Sequence, residues 1–282
     1  MLVNTKEMLE KARIGKYAIP HFNINNLEWT RFILEECEKN NSPVILGVSE
    51  GASKYMGGFN VVSVIVNELI KSLNIKVPVA LHLDHGSSVE NCINAIDNGF
   101  TSVMIDASKY ELEENIKITK EVVEYAKKYN VTVEAEVGHI GGTEDGNTSE
   151  LAYAKVEDAV RLYKETNIDS IAPALGSVHG LYKGEPKLDF VKMNEISKLT
   201  QIPLVLHGGT GIDDEKIKKA IESGICKINI NTELQIVWAN DVRKYINENN
   251  QYDPRKIIKS GEAAIKEAVK NKIELLGSLN KA

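Results

Sequence analysis

The chain is poor in cysteine. Cys37, Cys92 and Cys226 are far apart, odd in number and form no CxxC pair. They give no basis for a disulfide framework and predict reduced, buried thiols in a cytoplasmic protein. No apolar run reaches the ~18 residues that a membrane helix needs. The N-terminal stretch is charged from Lys6 onward and lacks a signal-peptide apolar region. No lysine-rich run or basic stripe is present and the net charge is -6, which excludes nucleic acid as an expected partner. No low-complexity linker divides the 282 residues, so one domain over 1–282 is expected, a size common for α/β barrels.

What is there is alternation. Eight short apolar runs occur at 17–23, 43–49, 77–84, 100–106, 131–138, 169–176, 202–208 and 225–231. Between them lie stretches such as "NLEWTRFILEECEKN" (26–40) and "VEDAVRLYKETN" (156–167), whose apolar residues recur at three- and four-residue spacing, the mark of one-sided helices. Ser88 and Asp213 or Asp214 read as helix caps, and Gly224 as a helix stop. Eight strands alternating with helices predict a parallel sheet closed into an α/β (β/α)8 TIM barrel. An open doubly wound sheet is the second choice, but no glycine fingerprint follows "YAIPHFN". The segment from about Asp253 reads as an additional C-terminal helix.

Polar residues gather where these runs end. His82, Asp84 and His85 close the third, Asp106 the fourth, Glu134 and Glu136 the fifth, His207 the seventh, and Asn229 and Asn231 the eighth. His179 follows the sixth. The C-terminal ends of barrel strands are where barrel enzymes build their sites, so the pattern points to an enzyme.

His85, His179 and His207 each precede a glycine, in "DHG", "VHG" and "LHG". Each alone suits a hydrogen-bonded structural role. Converging from three strands, they suit zinc or a similar divalent ion with an open position. Asp84 beside them is either an orienting partner or a proton donor and acceptor. Strand parity puts His82 and Asp84 on one face and His85 on the other, so Asp84 and His85 share a site only if the strand ends there. The polar stretch "GGTEDGNTSE" (141–150), carrying Glu144 and Asp145, reads as a glycine-hinged loop able to close over substrate, or as a solvated tip. "HGGTG" (207–211) and "NINTE" (229–233) lead into helices at the barrel's usual phosphate position. Lys227 is the lysine candidate for a Schiff base, and parity alone does not dismiss it.

Taken in order, "HLDHGSS", "EAEVG…GGTEDG", "ALGSVHGLYKGEPKLDF", "VLHGGTGI", "KININTE" and "YDPRK" resemble the class II, metal-dependent fructose-1,6-bisphosphate aldolases over nearly the whole chain. The resemblance implies the following roles. His85, His179 and His207 are the ligands of a catalytic zinc. Asp106 and Glu136 offer a second, outward metal position. Asp84 moves a proton at the hydroxyl that becomes the aldehyde, and Glu144 is the base at the dihydroxyacetone phosphate carbon. Gly180, Gly208, Gly209, Thr210, Asn229, Ile230, Asn231 and Thr232 hold dihydroxyacetone phosphate, with Asn23 and Ser49 as further substrate contacts. Val178, Gly180, Gly208 and Thr210 form a monovalent-cation site for Na+ or K+. Arg255 reaches the far phosphate of a neighbouring subunit's substrate, which implies a homodimer or homotetramer.

The implied activity is reversible cleavage of the sugar bisphosphate into triose phosphates. Tagatose-1,6-bisphosphate aldolases belong to the same family; "SVHG" favours fructose, whereas Asn231 is neither the aspartate of some fructose enzymes nor the alanine of tagatose ones. A metal-dependent isomerase or hydrolase on the same barrel, and an inactive sugar-phosphate binder, are the competing readings. The binder would be expected to lose the histidines or Asp84, and all are present.

Overall fold

Each of the eight apolar runs forms a parallel strand, and the last strand pairs with the first. In the computed structural model, which describes residues 2–144, 147–180, 182 and 184–282, with the side chains of 143–149 outside the description, the chain runs α1 (Lys6–Gly15), β1 (Ile19–Asn23), α2 (Leu27–Lys39), β2 (Val44–Ser49), α3 (Glu50–Met56), α4 (Phe59–Ser72), β3 (Val79–Gly86), α5 (Val89–Asp97), β4 (Ser102–Ile105), α6 (Leu112–Lys127) and β5 (Thr132–Val137). It continues through β6 (Gly141–Glu144), β7 (Asn147–Ser149), α7 (Val156–Thr166), β8 (Ser170–Pro173), β9 (Val178–His179), α8 (Phe190–Thr200), β10 (Leu204–Leu206), α9 (Asp214–Glu222), β11 (Ile225–Ile230), α10 (Thr232–Glu248), α11 (Pro254–Lys259) and α12 (Glu262–Leu276). Strands β1, β2, β3, β4, β5, β8, β10 and β11 close the (β/α)8 barrel.

Side-chain parity sorts the barrel into two surfaces. In β3, Val79, Leu81 and Leu83 join the apolar layer beneath the helices, while His82 and Asp84 do not. In β5, Val133, Ala135 and Val137 join it and Glu134 and Glu136 do not. Strand β11 likewise gives Ile228 and Ile230 to the layer and withholds Lys227 and Asn229. The inner surface is therefore buried and polar, a costly arrangement unless its groups pair with one another.

Four features differ from expectation. First, α1 precedes the barrel. Its Met8, Leu9 and Ala12 pack with Ile19, Ile45, Ala80 and Cys226 in a small apolar cluster apart from the main core. Second, the C-terminal segment is two helices, and the longer, α12, packs on α2 and α10. Third, 141–150 is not a plain loop: β6 pairs antiparallel with β7 and parallel with β9 in a second, three-stranded sheet. Fourth, Asp213 occupies the N-cap of α9 but makes no side-chain capping bond; Gly224, with φ 112°, does stop that helix just past its Ser223 C-cap, and Ser88 does cap α5, its hydroxyl accepting from Asn91 N–H at 3.1 Å.

Candidate active site

The placement of Asp84 and His85 depends on a bulge. Leu83 pairs with Val103 and Gly86 with Ile105, so β3 spends one residue more than β4 between these rungs. His85 takes the left-handed conformation, φ 51°. A β-bulge re-aims a side chain in this way. Parity is broken after Asp84, and consecutive residues can line the same cleft, of about 590 Å³, with Asp106, Glu136 and His179. The strand thus continues through His85 instead of ending there.

The three histidines converge. Ring centroids of His85 lie 4.6 Å from His207 and 4.9 Å from His179, and His179 is 5.7 Å from His207. One nitrogen from each lies within 4.8 Å of the others. His85 Nε2 and His207 Nδ1 are 2.9 Å apart. Their opposite nitrogens face carboxylates: His85 Nδ1 is 3.0 Å from Asp106 Oδ2, and His207 Nε2 is 2.9 Å from Glu134 Oε1. Such partners take the ring N–H and fix the tautomer. Both inner nitrogens then present lone pairs at 2.9 Å, although the amide of Asn229 also reaches His207 Nδ1 at 3.3 Å. Facing lone pairs repel unless a cation or a proton lies between them. Burial lowers the pKa of both His179 and His207, which suits neutral ligands. The donor set therefore fits a divalent ion of the zinc type.

A second donor group adjoins the first. His85, Asp106 and Glu136 also place ligand atoms within 4.8 Å of one another. Burial, and then the Asp106 carboxylate beside it, pushes Glu136 up to about 8. Burial works against ionisation of Asp106 too, but hydrogen bonds from His85 and Ser108 outweigh it and hold its pKa below the usual range. Ser108 Oγ also lies 2.8 Å from His139 Nδ1.

Asp84 is 1 % exposed. Asn23 donates to one of its oxygens at 2.8 Å and Asn229 to the other at 3.2 Å. Burial opposes its ionisation, but the surrounding imidazoles and Lys227 hold its pKa well below the ordinary range. Lys227 lies on the inner barrel surface, its Nζ 2.7 Å from Glu134 Oε2 and 3.4 Å from His82 Nε2. A Schiff base would need that nitrogen open to substrate, and the side chain is 1 % exposed.

The other expected contacts separate into groups. Asn23, Ser49 and Asn231 line an adjoining cleft of about 560 Å³ with Trp29, Tyr55 and Trp238. Gly208 packs on the Val178 carbonyl so closely that a Cβ there would overlap it, and Gly208 (φ 65°) and Gly180 (φ 81°) both use the glycine-favoured region. The Tyr182 hydroxyl donates to Gly208 O at 2.9 Å. Gly209 N–H is already committed to Asn229 O at 3.0 Å, and Thr210 Oγ1 accepts from Glu233 N–H at 3.2 Å. The Ile230 side chain belongs to the core, which leaves its backbone to a ligand. Thr232 opens α10, whose seventeen-residue length gives its N-terminus a full positive end. Arg255 is 89 % exposed and paired with Asp253 at 2.8 Å, outside both clefts. Glu144 has its backbone in β6 and its side chain outside the described residues; Asp145 lies outside them altogether. A shallower groove of about 950 Å³ on the barrel flank, beside Phe190 and Lys219, holds none of the expected site residues.

Residues 3–281 match the family model described as fructose-bisphosphate aldolase class-II. The chain belongs to this family. A fructose-bisphosphate aldolase of Geobacillus stearothermophilus is 58% identical over 283 residues, covering 100% of this chain and 99% of that protein. One of Staphylococcus aureus is 54% identical with the same coverage. Among solved structures, the YdjI aldolase of Escherichia coli K12 superposes with TM-score 0.87 at 35% identity over the whole of both chains. A fructose-bisphosphate aldolase of Campylobacter jejuni superposes with TM-score 0.86 at 27% identity, covering 100% of this chain and 97% of the other. Membership of the class-II aldolase family makes sugar phosphates the substrate class and aldol chemistry the reaction class. Among the described residues, no helix is long and apolar enough to cross a membrane.

Three features of the barrel interior and its mouth carry no local sequence signal: the Glu134–His207 pair, the buried His21 ring and the Ser108–His139 contact. The alternation in "VEAEV" shows Glu134 facing inward, but only closure of the barrel brings it to His207.

Proposed function

We propose that the chain catalyses reversible aldol cleavage of fructose 1,6-bisphosphate to dihydroxyacetone phosphate and glyceraldehyde 3-phosphate, within one barrel domain spanning 1–282. The observation that carries this reading is the pair of inner imidazole nitrogens of His85 and His207, facing at 2.9 Å with carboxylates behind both rings and Asp84 alongside. His85, His179 and His207 would hold a zinc ion. When bound, it supplies Lewis-acid stabilisation of the negative charge that develops at the substrate's ketone.

Asp84 takes the proton from the C4 hydroxyl as the C3–C4 bond breaks, and returns it in condensation. Glu144 carries the proton at C3 of dihydroxyacetone phosphate. The α10 N-terminus and the turns at Gly180 and Gly208–Thr210 bind its phosphate. Asn23, Ser49 and Asn231 orient the aldehyde half. Asp106 and Glu136 with His85 offer the outward metal position. The carbonyls of Val178 and Gly208, with Gly180 and Thr210, take a monovalent cation. Arg255 acts on a neighbouring protomer's substrate in a homodimer or homotetramer, and the protein works in the cytoplasm.

A coupled assay for triose phosphate, run on fructose and tagatose bisphosphates with and without EDTA, tests the reading. Fructose bisphosphate should be cleaved, chelation should abolish the activity, and zinc should restore it. Activity retained by protein shown to be metal-free defeats the proposal. Preference for the tagatose epimer would transfer the reading to the other branch of the family.

A further inference from the structure

His21 lies on β1 inside the barrel, fully buried. Among the described residues, neither of its ring nitrogens has a hydrogen-bond partner. Leaving a buried imidazole unpaired costs on the order of 1–3 kcal/mol, so such a group normally has a partner. The barrel makes room for this ring: Gly47 on the adjoining strand is the position where a Cβ would overlap it. His82 meets the ring edge-on at 5.5 Å. One nitrogen of His21, one of His82 and one oxygen of Asp84 all lie within 4.8 Å of one another. His21 makes no direct hydrogen bond to either. Two polar atoms bound to one shared oxygen stand up to about 5.6 Å apart, twice a normal hydrogen-bond length. The three groups are spaced for a single shared atom.

That atom is better a water than a metal ion. His82 Nδ1 is engaged by Ser102 Oγ at 2.8 Å, and its Nε2 faces Lys227 Nζ at 3.4 Å. A cation there would face the Lys227 ammonium as a like charge. A neutral water does not: it can donate to Asp84 and to His82 Nε2, whose lone pair the 3.4 Å lysine contact fills only weakly, and accept from the His21 N–H.

We propose that His21 is a positioning residue for Asp84, acting through one buried water shared by His21, His82 and the Asp84 carboxylate. The water extends a continuous polar chain: His207 to Glu134, Glu134 to Lys227, Lys227 to His82, then through the water to Asp84 and Asn229. The chain ties the group that moves the substrate proton to one of the proposed metal ligands. This inference rests on Asp84 acting at the C4 hydroxyl, and the test separates the two ideas.

His21→Phe keeps the ring volume and removes both nitrogens, whereas His21→Gln keeps a donor and an acceptor. The Phe variant should lose roughly 10-fold in kcat for cleavage, as when a supporting polar partner is removed from an active group. Its KM, its zinc content and its exchange of tritium from dihydroxyacetone phosphate should be unchanged, because exchange does not use Asp84. The Gln variant should recover most of the lost kcat. Asp84→Ala is measured in parallel. If it cleaves normally, the Asp84 reading fails; if it is impaired while His21→Phe cleaves like the native enzyme, the His21 proposal alone fails. Equal loss of cleavage and exchange, or no rescue by Gln, would make His21 a packing residue and overturn the proposal. A crystal structure of the native enzyme asks the same question without a variant. One oxygen within about 3 Å of all three groups is expected. Dry density there, or an anomalous zinc peak after soaking, overturns it.

Discussion

Nε2 of His207 lies 2.9 Å from Oε1 of Glu134, and both side chains are almost completely buried. Burial works against Glu134 as an anion, but Lys227 and His207 outweigh it and hold its pKa below the usual range. One carboxylate therefore serves a proposed metal ligand and a buried lysine at once. Glu134→Gln keeps the shape and weakens the pull on the His207 N–H. Zinc affinity should fall by roughly 10–100-fold, the usual worth of an outer partner, as read by competition with a chromogenic chelator. Unaltered affinity would show that Glu134 serves only Lys227.

Lys227→Met should act on stability. It leaves Glu134 buried without its closest cation, which costs about 3–5 kcal/mol for a buried pair. Urea unfolding of metal-free protein measures this. Borohydride treatment of the native enzyme with substrate should leave no adduct on Lys227; an adduct would reopen the Schiff-base route.

Asp84→Ala should lower cleavage turnover by roughly 10²–10⁴ with zinc still bound and triose-phosphate exchange retained. Loss of zinc along with activity would make Asp84 a support for the metal ligands instead.

Glu144→Ala should show the converse pattern. Exchange of the dihydroxyacetone phosphate proton and turnover should both collapse, while the ketose phosphate still binds within about tenfold, or ~1.4 kcal/mol. Native-rate exchange would move the base to another group.

Glu136 gives the metal-free protein a pH signature. Its folded pKa, about 8, lies above the ordinary 4.5. A carboxyl raised on folding stabilises fully below its unfolded pKa and loses that contribution as pH climbs to the folded one. Between about pH 4.5 and 8 the Tm of EDTA-treated wild type should therefore fall relative to Glu136→Gln, which stays neutral. Parallel curves across that window would place the Glu136 pKa near its ordinary value.

Much of this was legible beforehand, and for definite reasons. The eight strands are short apolar runs bounded by helix patterns, and barrel closure follows from their number. The clustering of His85, His179 and His207 at one mouth follows from their places just past strand ends. The bulge was not legible: "HLDHG" alternates normally up to Asp84, and the extra residue exists only in the register against β4. The β6–β9 pairing escaped as well, because "GGTEDGNTSE" is polar, glycine-rich and paired to residues more than thirty positions away. Helix α1 was passed over because its charged residues dominate a short segment and its buried face is only Met8, Leu9 and Ala12. Pairings inside the barrel, such as Glu134 with Lys227, span 93 residues and no local pattern announces them.

The rung joining Gly142 to His179 has a mechanical consequence. Gly142 approaches the His179 backbone so closely that a Cβ there would overlap it. Strand β6, which bears Glu144, is thus fastened to β9, which bears an imidazole of the metal group. This segment is no free flap on a slack tether. An outward displacement of β6 would have to break the rung at His179, so the segment that bears Glu144 and the imidazole proposed as a metal ligand are constrained as one mechanical unit.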